Sequence, residues 1–294
     1  MTRLHTFLDM IRFEHTIFAL PFAYLGMALA ANWPPMAGGI RFPTLHQLVW
    51  ITVAMASART LAFALNRYAD RFYDARNPRT ANRPLPTGRL SPRATLGYGA
   101  VALLVLIFAA WQLNALTLKL LPGAIILLIG YSYTKRFTWL SHWVLGATDG
   151  LAPAGAWVAV RGAVDPPAWL LWLAVTLWIA GFDLIYACQD TEFDRETGLY
   201  SVPARFGNAV ALRLAQANHL LTVLTLAAVG ILMSLGWVYW LGLAAVAGLL
   251  VYEHSLVSPT DLSRVNLAFF TINGYIALTI FAAALLDVYL RGLT

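Results

Sequence analysis

The carboxylates best placed to do chemistry fall into two short groups far apart in the chain. In the first, Asn66-Arg67-Tyr68-Ala69-Asp70-Arg71-Phe72-Tyr73-Asp74, the residues Asn66, Asp70 and Asp74 recur every fourth position, so a helix would align all three on one face. The second is Asp190-Thr191-Glu192-Phe193-Asp194, where Asp190 and Asp194 repeat that spacing and Glu192 points elsewhere. Asp183, seven residues before Asp190, falls on roughly the same face. Stacked carboxylates repel one another, and the arrangement becomes favourable when a cation joins them. A donor set made only of oxygens suits magnesium, which keeps its remaining positions for water and phosphate. Carboxylates cannot attract phosphate directly; with magnesium between them they can, while arginine and lysine neutralise the outer oxygens. Arg67, Arg71, Arg79, Arg83, Lys135, Arg136, Arg195 and Arg205 are candidates for that role. Such a mixture of acids and bases fits a diphosphate better than a lone carboxylate.

Other polar residues carry weaker signals. Tyr131 and Lys135 stand four apart, and Lys135 reads as a ligand of phosphate or of an acceptor carboxylate, or as an anchor reaching for the membrane interface. Arg59 lies inside an apolar stretch seven residues before Asn66, hence roughly cofacial with it; an arginine so placed faces protein or a watery cavity. His15, beside Glu14, has reach to a pocket, or is an interfacial histidine. His5, His46, His142, His219 and His254 show no metal-ligand spacing. The single cysteine, Cys188, excludes an intrachain disulfide and a multi-cysteine metal centre.

Some scaffold must bring residues 66–74 and 190–194 together, and composition indicates its kind. The chain has 294 residues, 60% of them hydrophobic and 12% charged, with a positive mean hydropathy of +0.66, which favours lipid over water as solvent. Apolar blocks near the roughly 20 residues that cross about 30 Å of hydrocarbon recur at 17–31, 45–65, 95–111, 116–134, 139–160, 169–187, 211–232, 237–252 and 267–286. Each must be helical, because an open strand leaves amides unpaired in lipid. The expectation is an all-α multi-pass membrane protein, nine transmembrane helices in a single domain over residues 1–294. The first block reads as a retained helix, since Asn32-Trp33-Pro34-Pro35 follows it without a convincing cleavage site.

Of the 20 lysines and arginines, this topology puts only Arg41, Lys119, Arg161 and Arg291 on one side and Arg59 inside a span, leaving fifteen on the other. The bias places those fifteen, and the amino terminus, in the cytoplasm. A formal charge of +6 then reflects topology and anionic lipid, with no nucleic-acid face. The two long, charged connections, 66–94 and 188–210, both fall on the cytoplasmic side, where chemistry is to be sought. Within the first, three prolines and a glycine between Asn77 and Gly88 demand a folded loop.

Taken together, Asn66-x-x-x-Asp70-x-x-x-Asp74, then Asn77-Pro78-Arg79-Thr80, Tyr131-x-x-x-Lys135 and Asp190-x-x-x-Asp194 resemble the UbiA superfamily of intramembrane aromatic prenyltransferases. Within it, the run Arg12 to Pro21 and the stretch from Arg59-Thr60 to Asn66-Arg67 resemble bacterial 4-hydroxybenzoate polyprenyltransferases and menaquinone-pathway enzymes of the futalosine route. The resemblance covers nearly the full chain. It implies a UbiA-type bundle with a lateral, lipid-accessible cavity in the inner membrane, its active site facing the cytoplasm. It further implies Mg2+ held by Asn66, Asp70, Asp74, Asp190 and Asp194, and transfer of a polyprenyl group from its diphosphate to 4-hydroxybenzoate or 1,4-dihydroxy-6-naphthoate. Arg and Lys would stabilise the leaving group, Asp183 would organise the acceptor or a second metal, and Arg59, Lys135 and His15 would bind substrate. No protein partner is required. The competing reading is a transporter of an anionic or cation-coupled solute, but transporters place their sites near the membrane midplane between broken helices, whereas this charge gathers at one rim.

Overall fold

The computed structural model describes residues 3–10, 16–35 and 40–292. Among these the secondary structure is helical throughout: α1 (Arg3–Met10), α2 (Thr16–Ala31), α3 (Leu45–Asp74), α4 (Pro92–Leu113), α5 (Ala115–Thr134), α6 (Ser141–Arg161), α7 (Pro166–Ala187), α8 (Thr191–Thr197), α9 (Val202–Phe206), α10 (Asn208–Leu232), α11 (Trp237–Ser255) and α12 (Asn273–Arg291). A 3-10 turn, Cys188–Asp190, joins α7 to α8, and a π-helical stretch, Leu267–Ile272, leads into α12. His15, together with Arg12 to Glu14, lies outside the described residues.

Every apolar block expected to be helical is helical. Six of the helical stretches are long and apolar enough to cross a membrane by length and composition. α6 and α11 are not among the six, their mean hydropathy held down by polar residues that include Asp149 and Arg161 in one and Glu253 and His254 in the other, and the described apolar part of the first block is the shorter Leu20–Ala31.

Helix ends follow local rules. Thr44 and Gln47 form a reciprocal capping box at the start of α3, Ser91 caps α4 with Pro92 in its first turn, and Asn114 caps α5. With 30 residues, α3 spans about 45 Å at 1.5 Å per residue, more than the roughly 30 Å of a hydrocarbon core. Its last turns, Asn66 to Asp74, are therefore carried past the apolar layer as a rigid helical extension.

The helices close a ring: α3, α4 and α5 pack together, α5 on α6, α6 on α7 and α2, α7 on α10, α10 on α11, α11 on α12, and α12 back on α2. In lipid, helix association rests on close packing rather than on expelling water, and small residues permit it here. A Cβ at Gly146 would overlap the Thr176 carbonyl, one at Gly150 would lie 2.6 Å from the Trp172 carbonyl, and one at Gly26 would overlap the backbone at Pro153. The main apolar core, including Leu25, Trp157, Leu171, Leu226 and Ile280, fills the space among α2, α6, α7, α10, α11 and α12, while Leu61, Leu106 and Leu128 pack α3, α4 and α5. Outward faces carry Val101, Leu104, Ile126, Leu224 and Val251 in the open, as suits a surface solvated by lipid.

At one rim, Asn114 Nδ2 donates to the Val158 carbonyl at 2.8 Å and Arg161 Nη1 to that of Trp33 at 3.0 Å. At the opposite rim the Tyr200 amide donates to the Lys135 carbonyl at 2.6 Å, pinning the segment after α8 to the end of α5.

Candidate active site

Asp190 is the junction of the two acidic groups. Asn77 Nδ2 donates to its Oδ1 at 3.0 Å, and Arg79 grips it as a fork, Nε to Oδ1 at 3.1 Å and Nη2 to Oδ2 at 2.5 Å. Both donors stand on the loop that follows the first group, so residues more than a hundred positions apart meet through charge-assisted bonds. The loop is shaped for this: the Arg79 amide donates to Asn77 Oδ1 at 2.9 Å and Thr80 Oγ1 to the Asp74 carbonyl at 3.1 Å. Burial works against the Arg79 guanidinium, but the bonds and charge of Asp190 more than offset it and hold its pKa above the ordinary value.

The remaining acids are similarly held. Arg83 Nη1 lies 2.7 Å from Asp74 Oδ1, Lys135 Nζ 3.6 Å from Asp194 Oδ2, and Arg136 Nη2 3.7 Å from Asp70 Oδ1. Asn66 Nδ2 donates to Asp70 Oδ2 at 2.9 Å and receives Arg67 Nη1 on its Oδ1 at 3.2 Å. Burial lowers the Lys135 pKa, but Asp194, then Asp183, Asp190 and Asp70, outweigh that and raise it overall, keeping the ammonium charged. Two carboxylate oxygens, Asp74 Oδ2 and Asp194 Oδ2, are buried without a hydrogen-bond partner, the second facing the Lys135 ammonium at 3.6 Å, beyond hydrogen-bond reach. Such orphaned acceptors, one from each group, suit a cation. Among the described residues no three acids are gathered closely enough to hold a metal as they stand; arginine and lysine occupy the inner oxygens.

All these side chains line one cavity of about 1430 Å³ that runs on from the charged rim between apolar walls, among them Ile51, Leu106, Leu121, Leu151 and Val175. One wall is aromatic. Trp178, Phe182 and Tyr186 follow one another at four-residue spacing along α7, with centroids 5.1 Å apart for Trp178 and Phe182. Phe269, from the π-helical stretch, packs at 5.0 Å from Phe182 and 4.2 Å from Tyr186. Tyr186 accepts Arg79 Nη1 on its hydroxyl at 3.1 Å, which links the aromatic wall to the charged rim.

Of the sequence candidates, Asn66, Asp70, Asp74, Asp183, Asp190, Asp194, Arg59, Arg67, Arg79, Arg83, Tyr131, Lys135 and Arg136 all line this cavity. Arg71 does not. It donates to the Tyr68 carbonyl at 2.6 Å and lies over the rings of Tyr68 and Phe72, because one residue's step around the helix from Asp70 turns it outward. Arg195 likewise faces away, paired with Glu192 at 3.0 Å. Asp190 and Asp194 sit across a joint between a 3-10 turn and α8 rather than on one regular helix. Tyr131 spends its hydroxyl on the Ala62 carbonyl at 3.2 Å, bracing α5 against α3.

Three participants were given no role by the sequence. His142, fully buried, accepts the Val202 amide on Nε2 at 3.3 Å; its Nδ1 therefore carries the hydrogen and donates to Asp183 Oδ2 at 2.7 Å. Asn77 was visible only as part of a motif. Asp149 lines the cavity from α6, and a lone acid inside an apolar helix was the available signal.

The model of the UbiA prenyltransferase family matches residues 19–275. A 4-hydroxybenzoate octaprenyltransferase of Aeromonas salmonicida is 34% identical over 262 residues, 87% of this chain and 89% of that protein. A 4-hydroxybenzoate octaprenyltransferase of Photobacterium profundum is 28% identical over 291 residues, 99% of each chain. Among solved structures, a UbiA homolog from Aeropyrum pernix in its apo form superposes with a TM-score of 0.82 at 33% identity, covering 93% of this chain and 98% of that one. A UbiA homolog from Archaeoglobus fulgidus bound to GPP and Mg2+ superposes with a TM-score of 0.70 over 96% of this chain and 99% of its own, at 21% identity, a likeness of fold.

Proposed function

This chain belongs to the UbiA prenyltransferase family, and on that footing we propose that it transfers a polyprenyl group from polyprenyl diphosphate to an aromatic quinone precursor, 4-hydroxybenzoate or 1,4-dihydroxy-6-naphthoate, releasing diphosphate. The observation that carries this reading is the grip of Asn77 and Arg79 on Asp190 at the mouth of a cavity that continues between apolar and aromatic walls. A diphosphate needs the charged end and a polyprenyl chain needs the other. The whole chain acts as one domain of nine crossings in the inner membrane, with the charged rim in the cytoplasm and the cavity open sideways to lipid, so that a donor too apolar for water enters from the bilayer.

Asn66, Asp70, Asp74, Asp190 and Asp194 would hold Mg2+, for which the orphaned oxygens of Asp74 and Asp194 and an all-oxygen donor set are suited. When bound, the metal supplies charge that draws electrons toward the leaving diphosphate. Without substrate, Arg79, Arg83, Lys135 and Arg136 neutralise the acids; with it, they turn to the phosphate oxygens, and the change of partner releases the carboxylates. Arg67, in the same wall, adds positive charge from the α3 side. The C–O bond at the allylic carbon breaks with its electron pair on the diphosphate, the arene carbon bonds to the allylic carbon, and the ring proton is lost. Phe182, Tyr186 and Phe269 offer aromatic faces to the allylic cation and keep water from it. Arg59, deeper in the cavity, pairs with the acceptor carboxylate.

Purified protein in detergent and added lipid, given magnesium and prenyl diphosphates of several lengths together with each arene, should form a prenylated arene and inorganic diphosphate, identified by mass. Solute flux without any such product would replace this reading with transport.

A further inference from the structure

We propose that Asp149 binds the hydroxyl group of the arene, making it a specificity-determining residue of the acceptor site; the inference rests on the prenyl-transfer reading above. Asp149 stands eight residues into α6, about 12 Å from the end at Ser141, and Arg59 stands seven residues before Asn66 on α3, about 10 Å below the charged rim. The two thus face the cavity at a similar depth from different helices, and both line it.

Every other aspartate lining the cavity has a partner: Asp9 has His5, Asp70 has Asn66, Asp74 has Arg83, Asp183 has His142, Asp190 has Arg79 and Asp194 has Lys135. Asp149 is exposed to the cavity, and among the described residues it makes no hydrogen bond and no ion pair. Its charge and that of Arg59 act on one another without contact, and Arg59 Nε is itself buried and unpartnered. A carboxylate left free between apolar helices is costly unless something donates to it. The gap between a free carboxylate and an arginine fits a molecule with a hydrogen-bond donor at one end and an anion at the other, the chemistry of a hydroxylated aromatic acid. Held by Asp149, the hydroxyl pushes electron density into the ring, which then attacks the allylic carbon more readily.

The test compares Asp149→Leu, similar in size and without an acceptor, with the wild type in steady-state assays, varying prenyl diphosphate and whichever arene is turned over, with the arene's O-methyl ether as a competitive inhibitor. The expected result is a fall of about tenfold or more in kcat/KM for the arene, an unchanged KM for the donor, and equal inhibition of both proteins by the methyl ether, which has no hydrogen to donate. A purely structural Asp149 would weaken the methyl ether as much as the arene, and that outcome overturns the proposal. If the variant fails to fold, the wild type alone decides: the methyl ether must bind about tenfold more weakly than the arene, and equal binding refutes the role. Wild-type protein that prenylates neither arene overturns both readings, whereas wild-type turnover with unaltered Asp149→Leu kinetics overturns this one alone.

Discussion

Asp190 receives three hydrogen bonds from Asn77 and Arg79, so its replacement separates two effects, lost bonds at the rim and lost charge for a cation. Asn at position 190 keeps the shape and can still accept one bond, but it cannot neutralise Arg79 or bind a metal as an anion. Asp190→Asn and Asp70→Asn are each expected to lower prenyl transfer by about 100-fold or more, with membrane insertion intact; normal turnover by both purified variants would refute the two-cluster reading. Chelation of divalent metal should abolish activity, and magnesium should restore it. Arg71, turned outward onto Tyr68 and Phe72, gives the contrast: Arg71→Gln should leave kcat within about twofold, as substitutions away from such a site usually do.

Beside α3, which carries the first acidic group, α6 and α7 shape the site, since one carries Asp149 and the other both the aromatic stripe and the approach to Asp190. Their contact at Gly146 leaves no room for a side chain beside the Thr176 carbonyl. Gly146→Val should therefore part the helices and cost about 1–3 kcal/mol or more, read as a lowered melting temperature in detergent. On the stripe, Phe182→Leu and Tyr186→Leu preserve bulk but remove the π face. They are expected to shift about tenfold more donor toward free prenyl alcohol relative to prenylated arene, measured as the ratio of the two products. Behind the aromatic wall, α10, α11 and α12 share a polar knot that reaches the cavity at Asn273, with His219 Nδ1 2.9 Å from His254 Nε2 and Asn273 Nδ2 donating to Glu253 Oε1 at 3.0 Å. Asn273 also donates to the Ala268 and Phe269 carbonyls, which satisfies backbone acceptors of the π-helical stretch and so fixes Phe269 in the aromatic wall.

For the molecule as a whole, sidedness is the property that matters, because donor, acceptor and leaving group must all reach one rim. With Cys188 buried, the native chain offers a quiet background for labelling. A cysteine placed at Thr87, in the exposed loop after α3, should react with a membrane-impermeant maleimide only in inside-out vesicles, and one at Arg41 only in right-side-out vesicles; the reverse pattern would overturn the cytoplasmic assignment. The ring of helices also explains how so much charge is tolerated: the two acidic groups sit where α3 ends and where α7 breaks into a 3-10 turn, while Asp149 and Asp183, within α6 and α7, face the shared cavity.

What could be read without coordinates was whatever depends on local spacing and solvent preference. Apolar block length gave the helices, every-fourth-residue spacing gave the faces of α3 bearing Asn66, Asp70 and Asp74, and proline content gave the folded loop around Asn77 and Arg79. The outward turn of Arg71 was not legible, because abundance of charge in a segment says nothing about which side of the helix each residue takes relative to its neighbours. The identity of partners was equally hidden: that Asp190 pairs with Arg79, that His142 orients Asp183, and that Asp149 and Arg59 line one cavity are all relations between distant segments. Spacing along one helix is set by its own backbone, but distances between helices are set by the packing of the ring, and only the folded chain contains that information.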